Sequence, residues 1–78
     1  MKLEMIDWTD HMGTGGSLEF LDDLVDDMKP RCVTTVGWVA KETDKYIVVV
    51  STKSDNDDAA SNASCILKST IIRRRNVK

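Results

Sequence analysis

Residues 33–52 read Val33-Thr34-Thr35-Val36-Gly37-Trp38-Val39-Ala40-Lys41-Glu42-Thr43-Asp44-Lys45-Tyr46-Ile47-Val48-Val49-Val50-Ser51-Thr52. Two runs rich in β-branched residues flank a polar break at residues 41–45. β-Branched side chains pack well on a pleated surface, and a short polar break between two such runs marks an antiparallel hairpin. In the first run, Cys32, Thr34, Val36, Trp38 and Ala40 share one face, while Val33, Thr35, Gly37 and Val39 share the other. Both faces are largely apolar, as expected where a sheet curls over itself. Gly37 predicts a sharp bend or a close backbone approach inside the strand. Residues 46–52 read as a central strand buried on both faces.

Outward from the hairpin, residues 17–28 carry the helical signal. Leu18, Leu21, Leu24, Val25 and Met28 recur at helical spacing, with Asp22, Asp23, Asp26 and Asp27 on the other side. Ser17 suits the N-cap, Glu19 favours the first turn, and Pro30 stops the helix. Before it, residues 2–8 alternate as a short edge strand, and residues 9–16, with Gly13, Gly15 and Gly16, form a loop. No Lys-Ser/Thr pair follows those glycines, so they do not form a phosphate cradle. After the hairpin, residues 53–64 read as a polar loop, 65–68 as a short strand, 69–70 as a tight turn and 71–75 as a last strand.

Seventy-eight residues suit one domain with a thin core. Its expected parts are an arm and glycine loop at 1–16, a helix at 17–28 and a β-barrel at 31–78. No apolar run approaches the length of a membrane span, and Glu4 interrupts the amino-terminal stretch, so neither a membrane partner nor a signal peptide is expected. Two cysteines far apart do not make a disulfide framework, so Cys32 and Cys65 read as reduced, buried thiols of a cytosolic protein. With His11 as the one histidine, no ligand spacing for a metal appears, and no cofactor is expected. The acidic loop around Asp55, Asn56, Asp57 and Asp58 lacks the glycine and distal glutamate of a calcium loop.

The net charge of −2 conceals a dipole. Residues 1–30 hold eight acids against two lysines, giving −6, and residues 31–78 hold nine bases against five acids, giving +4. Such a chain can attract a partner at either end, or its two ends can attract each other. The acids Asp22, Asp23, Asp26 and Asp27 form either a partner-binding face or a solvated one. Arg73, Arg74 and Arg75 match phosphate or a partner's acids, or else protect a terminal edge strand from aggregation. Alternation sends Arg73 and Arg75 to one side and Arg74 to the other. Trp38 and Tyr46 are aromatic candidates for stacking a base, with Arg73 and Arg75 for phosphate, although a strand tryptophan also serves as packing. No nucleophile–base motif appears, which favours binding over catalysis.

The expected order of helix, bent strand, short turn, buried strand, polar loop, short strand, tight turn and short strand resembles the Sm-like barrel, a small SH3-like roll. Val36-Gly37-Trp38-Val39 through Asp44 and Tyr46-Ile47-Val48-Val49 is similar to the first Sm motif, while Arg74 stands where the second motif places a glycine after Ile72-Arg73. The resemblance implies an α+β fold, with the helix packed on a strongly bent antiparallel sheet, and an oligomer that binds RNA, single-stranded nucleic acid or a nucleotide. The chain is also similar to small phage-encoded proteins of unassigned function. The similarity lies in Ile6-Asp7-Trp8-Thr9-Asp10-His11, Val36-Gly37-Trp38-Val39-Ala40-Lys41-Glu42-Thr43 and Leu67-Lys68-Ser69-Thr70-Ile71-Ile72-Arg73-Arg74. It implies a phage accessory protein acting in the bacterial cytoplasm; the small size, the dipolar surface and the absence of catalytic groups favour a non-enzymatic protein that binds and inhibits a host protein, with a virion structural component as a further alternative.

Overall fold

The computed structural model describes residues 1–10, 18 and 20–77. Strands β1 (Lys2–Asp10), β2 (Arg31–Glu42), β3 (Tyr46–Lys53), β4 (Ala60–Leu67) and β5 (Ile71–Asn76) form one antiparallel sheet in the order β4-β3-β2-β1-β5. A seven-residue helix, α1 (Leu21–Asp27), lies between β1 and β2, and a three-residue 3₁₀ turn at Lys68–Thr70 joins β4 to β5.

The hairpin at the centre forms as its sequence dictates. Tyr46 and Lys45 both donate their backbone N–H groups to Thr43 Oγ1, at 3.0 and 3.2 Å, and Thr43 N donates to the Tyr46 carbonyl at 2.9 Å. One threonine thus satisfies the turn's exposed amides. In β2, the register with β3 shifts between Val39 and Lys41, which leaves Ala40 as an extra residue and bends the strand. Gly37 lies three residues before that bulge, in regular pairing with Glu4, and a Cβ there would lie 2.5 Å from the Val50 carbonyl oxygen and 2.6 Å from Val49 Cγ1. The close approach expected at that glycine is therefore its reason for being there.

The bend gathers one face into the core. Ile6 from β1, Ile47 and Val49 from β3, and Ile66 from β4 are fully buried together, with Trp8, Val39 and Ile71 packed against them. Trp8 Nε1 donates to Thr35 Oγ1 at 2.9 Å, so the indole packs without losing its polar partner. Directly opposed residues share a face. Register therefore assigns Glu4, Ile6, Trp8, Gly37, Val39, Glu42 and Arg74 to this inner face. β3 is buried on both faces at its middle, through Val49 inside and Val50 outside, with Tyr46 and Val48 only half-buried.

Several expectations need correction. The α+β assignment and the closed Sm-like or SH3-like barrel give way to a nearly all-β open sheet, because β4 and β5 are both edges and do not pair with each other. The helix spans 21–27 rather than 17–28. Leu18 and Phe20 precede it, and α1 makes no extensive contact with any strand, so it does not cover the sheet. Seven residues are too few for a helix to hold itself firmly without packing. Ser17 as N-cap, Glu19, His11 and most of the glycine loop lie outside the described residues; Thr9 and Asp10 belong to β1. β1 is interior, between β2 and β5, rather than an edge. β4 begins at Ala60, so the polar loop shrinks to residues 54–59. Cys32 and Cys65 are exposed free thiols rather than buried ones.

Candidate partner-binding surfaces

The first surface is α1 and its approach. Phe20 is 84% exposed, Leu21 70% and Val25 60%, and Leu18 is fully exposed. Leu24 and Met28 are half-buried, so the apolar stripe expected to form core splits, with most of it facing solvent. Asp22, Asp23 and Asp26 are exposed beside it, and Asp27 ends the helix. The first turn's acids favour the helix, whereas no base occupies its last turn. Phe20 was missed as a candidate, although it stands one helical turn before Leu24 and two before Met28.

The second surface is the arginine triplet, whose members part company. Arg74 turns to the inner face and makes four hydrogen bonds there. Its Nε and Nη2 donate to the two oxygens of Glu4 at 2.7 and 2.8 Å, while Nη1 and Nη2 donate to Glu42 at 3.0 and 2.9 Å. Lys68 Nζ adds a 2.8 Å contact to Glu42. Glu4 is only 7% exposed and is thus neutralised in place. The hydrogen bond from Arg74, seconded by Lys68, holds the Glu42 carboxyl down at about 2, and the Glu4 and Glu42 carboxylates push the Arg74 guanidinium above its ordinary range. This network ties β5, β1 and β2 together, so Arg74 links strands within the sheet. Neither Glu4 nor Glu42 was singled out as a site residue in the sequence. Their signal is geometric, because only the β2 bulge brings Glu42 onto the face of Glu4.

Arg73 and Arg75 project from the opposite face. Arg75 Nη2 lies 3.1 Å and Arg73 Nε 3.7 Å from Asp7 Oδ2, and Thr34 Oγ1 donates to Asp7 Oδ1 at 2.7 Å. Arg73 keeps 60% of its side chain exposed. One carboxylate therefore steadies two arginines and leaves most of their donors free.

Register places Trp38 and Tyr46 on the same outer face as Arg73 and Arg75. Lys53 Nζ lies 5.1 Å from the Trp38 ring centre and Lys41 Nζ 5.7 Å from that of Tyr46. Both pairs fall within cation–π range. Elsewhere, Lys53 Nζ meets Asp57 at 2.8 Å and lowers its carboxyl pKa.

Among the described residues, no three His, Cys, Asp or Glu side chains gather to hold a metal ion, and no helix is long and apolar enough to cross a membrane. In comparisons with family models, curated proteins and solved structures, the chain matches none.

Proposed function

We propose that this chain is a non-enzymatic binding protein that captures another protein through α1. The carrying observation is the joint exposure of Phe20, Leu21 and Val25 beside Asp22, Asp23 and Asp26, on a segment that makes no extensive contact with any strand among the described residues. Contiguous exposed apolar side chains rimmed by charge mark interaction sites, and a short unpacked helix can lay its apolar side into a partner's groove. The acids steer it toward a basic surface. In this reading it is an accessory protein that inhibits a host protein, and the bacterial cytoplasm is the setting that the sequence resemblance to small phage-encoded proteins implies. Affinity capture from bacterial lysate tests this with three baits. The unaltered protein should retain a host protein. A bait with Asp22, Asp23, Asp26 and Asp27 changed to lysine should lose it, as should Leu21→Asp with Val25→Asp. Equal retention by all three overturns the reading.

A second reading has one observation in its favour: Trp38, Tyr46, Arg73 and Arg75 share the outer face. Aromatic platforms beside arginines suit single-stranded nucleic acid. Such binding weakens steeply with salt, because phosphate neutralisation releases counterions. Fluorescence titration with oligonucleotides at rising salt reads it directly, and an absent or salt-independent affinity removes it.

A further inference from the structure

The two edges of the sheet are built differently. β5 carries Arg73, Arg74 and Arg75, and its register with β1 shifts beside Ile72. Charges and bulges are the devices that keep an edge from pairing with another chain. β4 has neither a charged residue nor a proline from Ala60 to Leu67. Its one irregularity is Asn62, whose φ of 57° breaks extended geometry near the start of the strand. Beyond Leu67 the charged Lys68 opens the 3₁₀ turn. What remains is an uncharged run of five residues, Ala63 to Leu67, with one row of backbone donors and acceptors facing no neighbouring strand among the described residues.

We propose that β4 pairs antiparallel with β4 of a second copy, about a two-fold axis through Cys65. A run of five residues that pairs with itself in full has its axis at the middle residue. Ala63 then opposes Leu67 of the second copy, Ser64 opposes Ile66, and the two Cys65 residues oppose each other. The half-exposed Leu67 gains apolar cover, and two five-stranded sheets become one. Charge selects this arrangement over its rivals: β5 against β5 would set arginines on arginines, whereas β4 against β4 sets no charge on any other. A β4-to-β5 contact is heterologous and does not close at two copies. The dimer leaves α1 free and does not depend on the proposed function.

Opposed residues in an antiparallel pair lie about 4.5–5.5 Å apart at Cα, inside the roughly 4.4–6.8 Å span of a disulfide. Cys65 is therefore the reporter. The purified protein is run by sedimentation velocity over a dilution series, then treated with copper phenanthroline. That oxidant removes one electron and one proton from each of two thiols to form a disulfide, and dioxygen takes up the electrons. The expected result is a concentration-dependent dimer whose cross-link maps to Cys65 with Cys65. Cys65→Ser should keep the dimer and lose the cross-link. Cys65→Lys sets like charges opposite each other and should weaken association by about tenfold or more. Circular dichroism matching the unaltered protein shows that this exposed substitution leaves the sheet intact. A monomer at every concentration, an assembly larger than a dimer, cross-linking through Cys32 as readily, or a dimer indifferent to Cys65→Lys overturns the proposal.

Discussion

Removing the Arg74 side chain should be far more damaging than removing its neighbour. Glu4 is 7% exposed with Arg74 in place, and in Arg74→Ala it loses both of its 2.7–2.8 Å charge-assisted bonds. Stranding one member of a buried pair costs about 3–5 kcal/mol. Arg74 keeps 27% of its side chain in water, which lets solvent relieve part of the loss, so about 2–3 kcal/mol is the working figure. In a domain of this length, each kcal/mol moves the melting temperature by about 4–8 °C, so Arg74→Ala should melt about 10–20 °C lower. Arg73→Ala removes a 3.7 Å contact from a side chain 60% exposed and should cost under about 0.5 kcal/mol, a shift under about 4 °C. Differential scanning calorimetry on the two variants measures the contrast. Replacing both charges, Glu4→Leu with Arg74→Met, should recover most of the loss, because no ion is left unpaired. If Arg74→Ala melts within a few degrees of Arg73→Ala, the network does not hold the three strands.

Three further outcomes follow from the same geometry. Glu42 titrates near 2 when folded, from an ordinary value of 4.5, so its contribution is present in full above about pH 4.5 and fades as pH falls toward 2. The melting-temperature gap between the unaltered protein and Glu42→Gln, followed from pH 7 to 2, should be constant at first and then close. Gly37→Ala forces a Cβ against the Val50 carbonyl oxygen and should cost about 1–3 kcal/mol in urea unfolding, with the slope unchanged. Leu21→Asp with Val25→Asp alters side chains that are already exposed, and should leave the melting temperature within about 4 °C while abolishing capture.

What the sequence revealed and what it concealed divide along one line. Local chemistry was legible: Thr43 and its polar neighbours mark the hairpin turn, β-branched runs mark β2 and β3, and Gly37 marks a close backbone approach, whereas nothing in the sequence marks the bulge at Ala40. The alternation that sends Arg74 away from Arg73 and Arg75 also matches the register. The fate of α1 was not legible. Its periodicity is genuine, but periodicity records an apolar stripe and not what covers it. A stripe that packs on a sheet and one left for a partner have the same spacing, so Leu21 and Val25 read as core. β4 escaped for the opposite reason. Ala60-Ser61-Asn62-Ala63-Ser64 has small side chains that suit a loop, and it becomes a strand because β3 offers a partner to every one of these residues but Asn62. The link between Glu4, Arg74 and Glu42 joins residues as much as 70 positions apart in sequence, through a one-residue bulge that no spacing rule encodes.

The observation on which the binding proposal stands, an uncovered α1, can be measured without knowing the partner. Hydrogen–deuterium exchange of the free protein, resolved by residue, compares the amides of α1 with those of β1, β2 and β3. Helical amides without tertiary packing open at almost no cost, whereas those of the central strands open near the global unfolding free energy. The account predicts near-complete exchange across residues 21–27 while the Ile6, Ile47 and Val49 amides remain protected. Protection of α1 equal to that of β3 would mean that the helix already rests on the sheet, and would contradict its role as a free docking element.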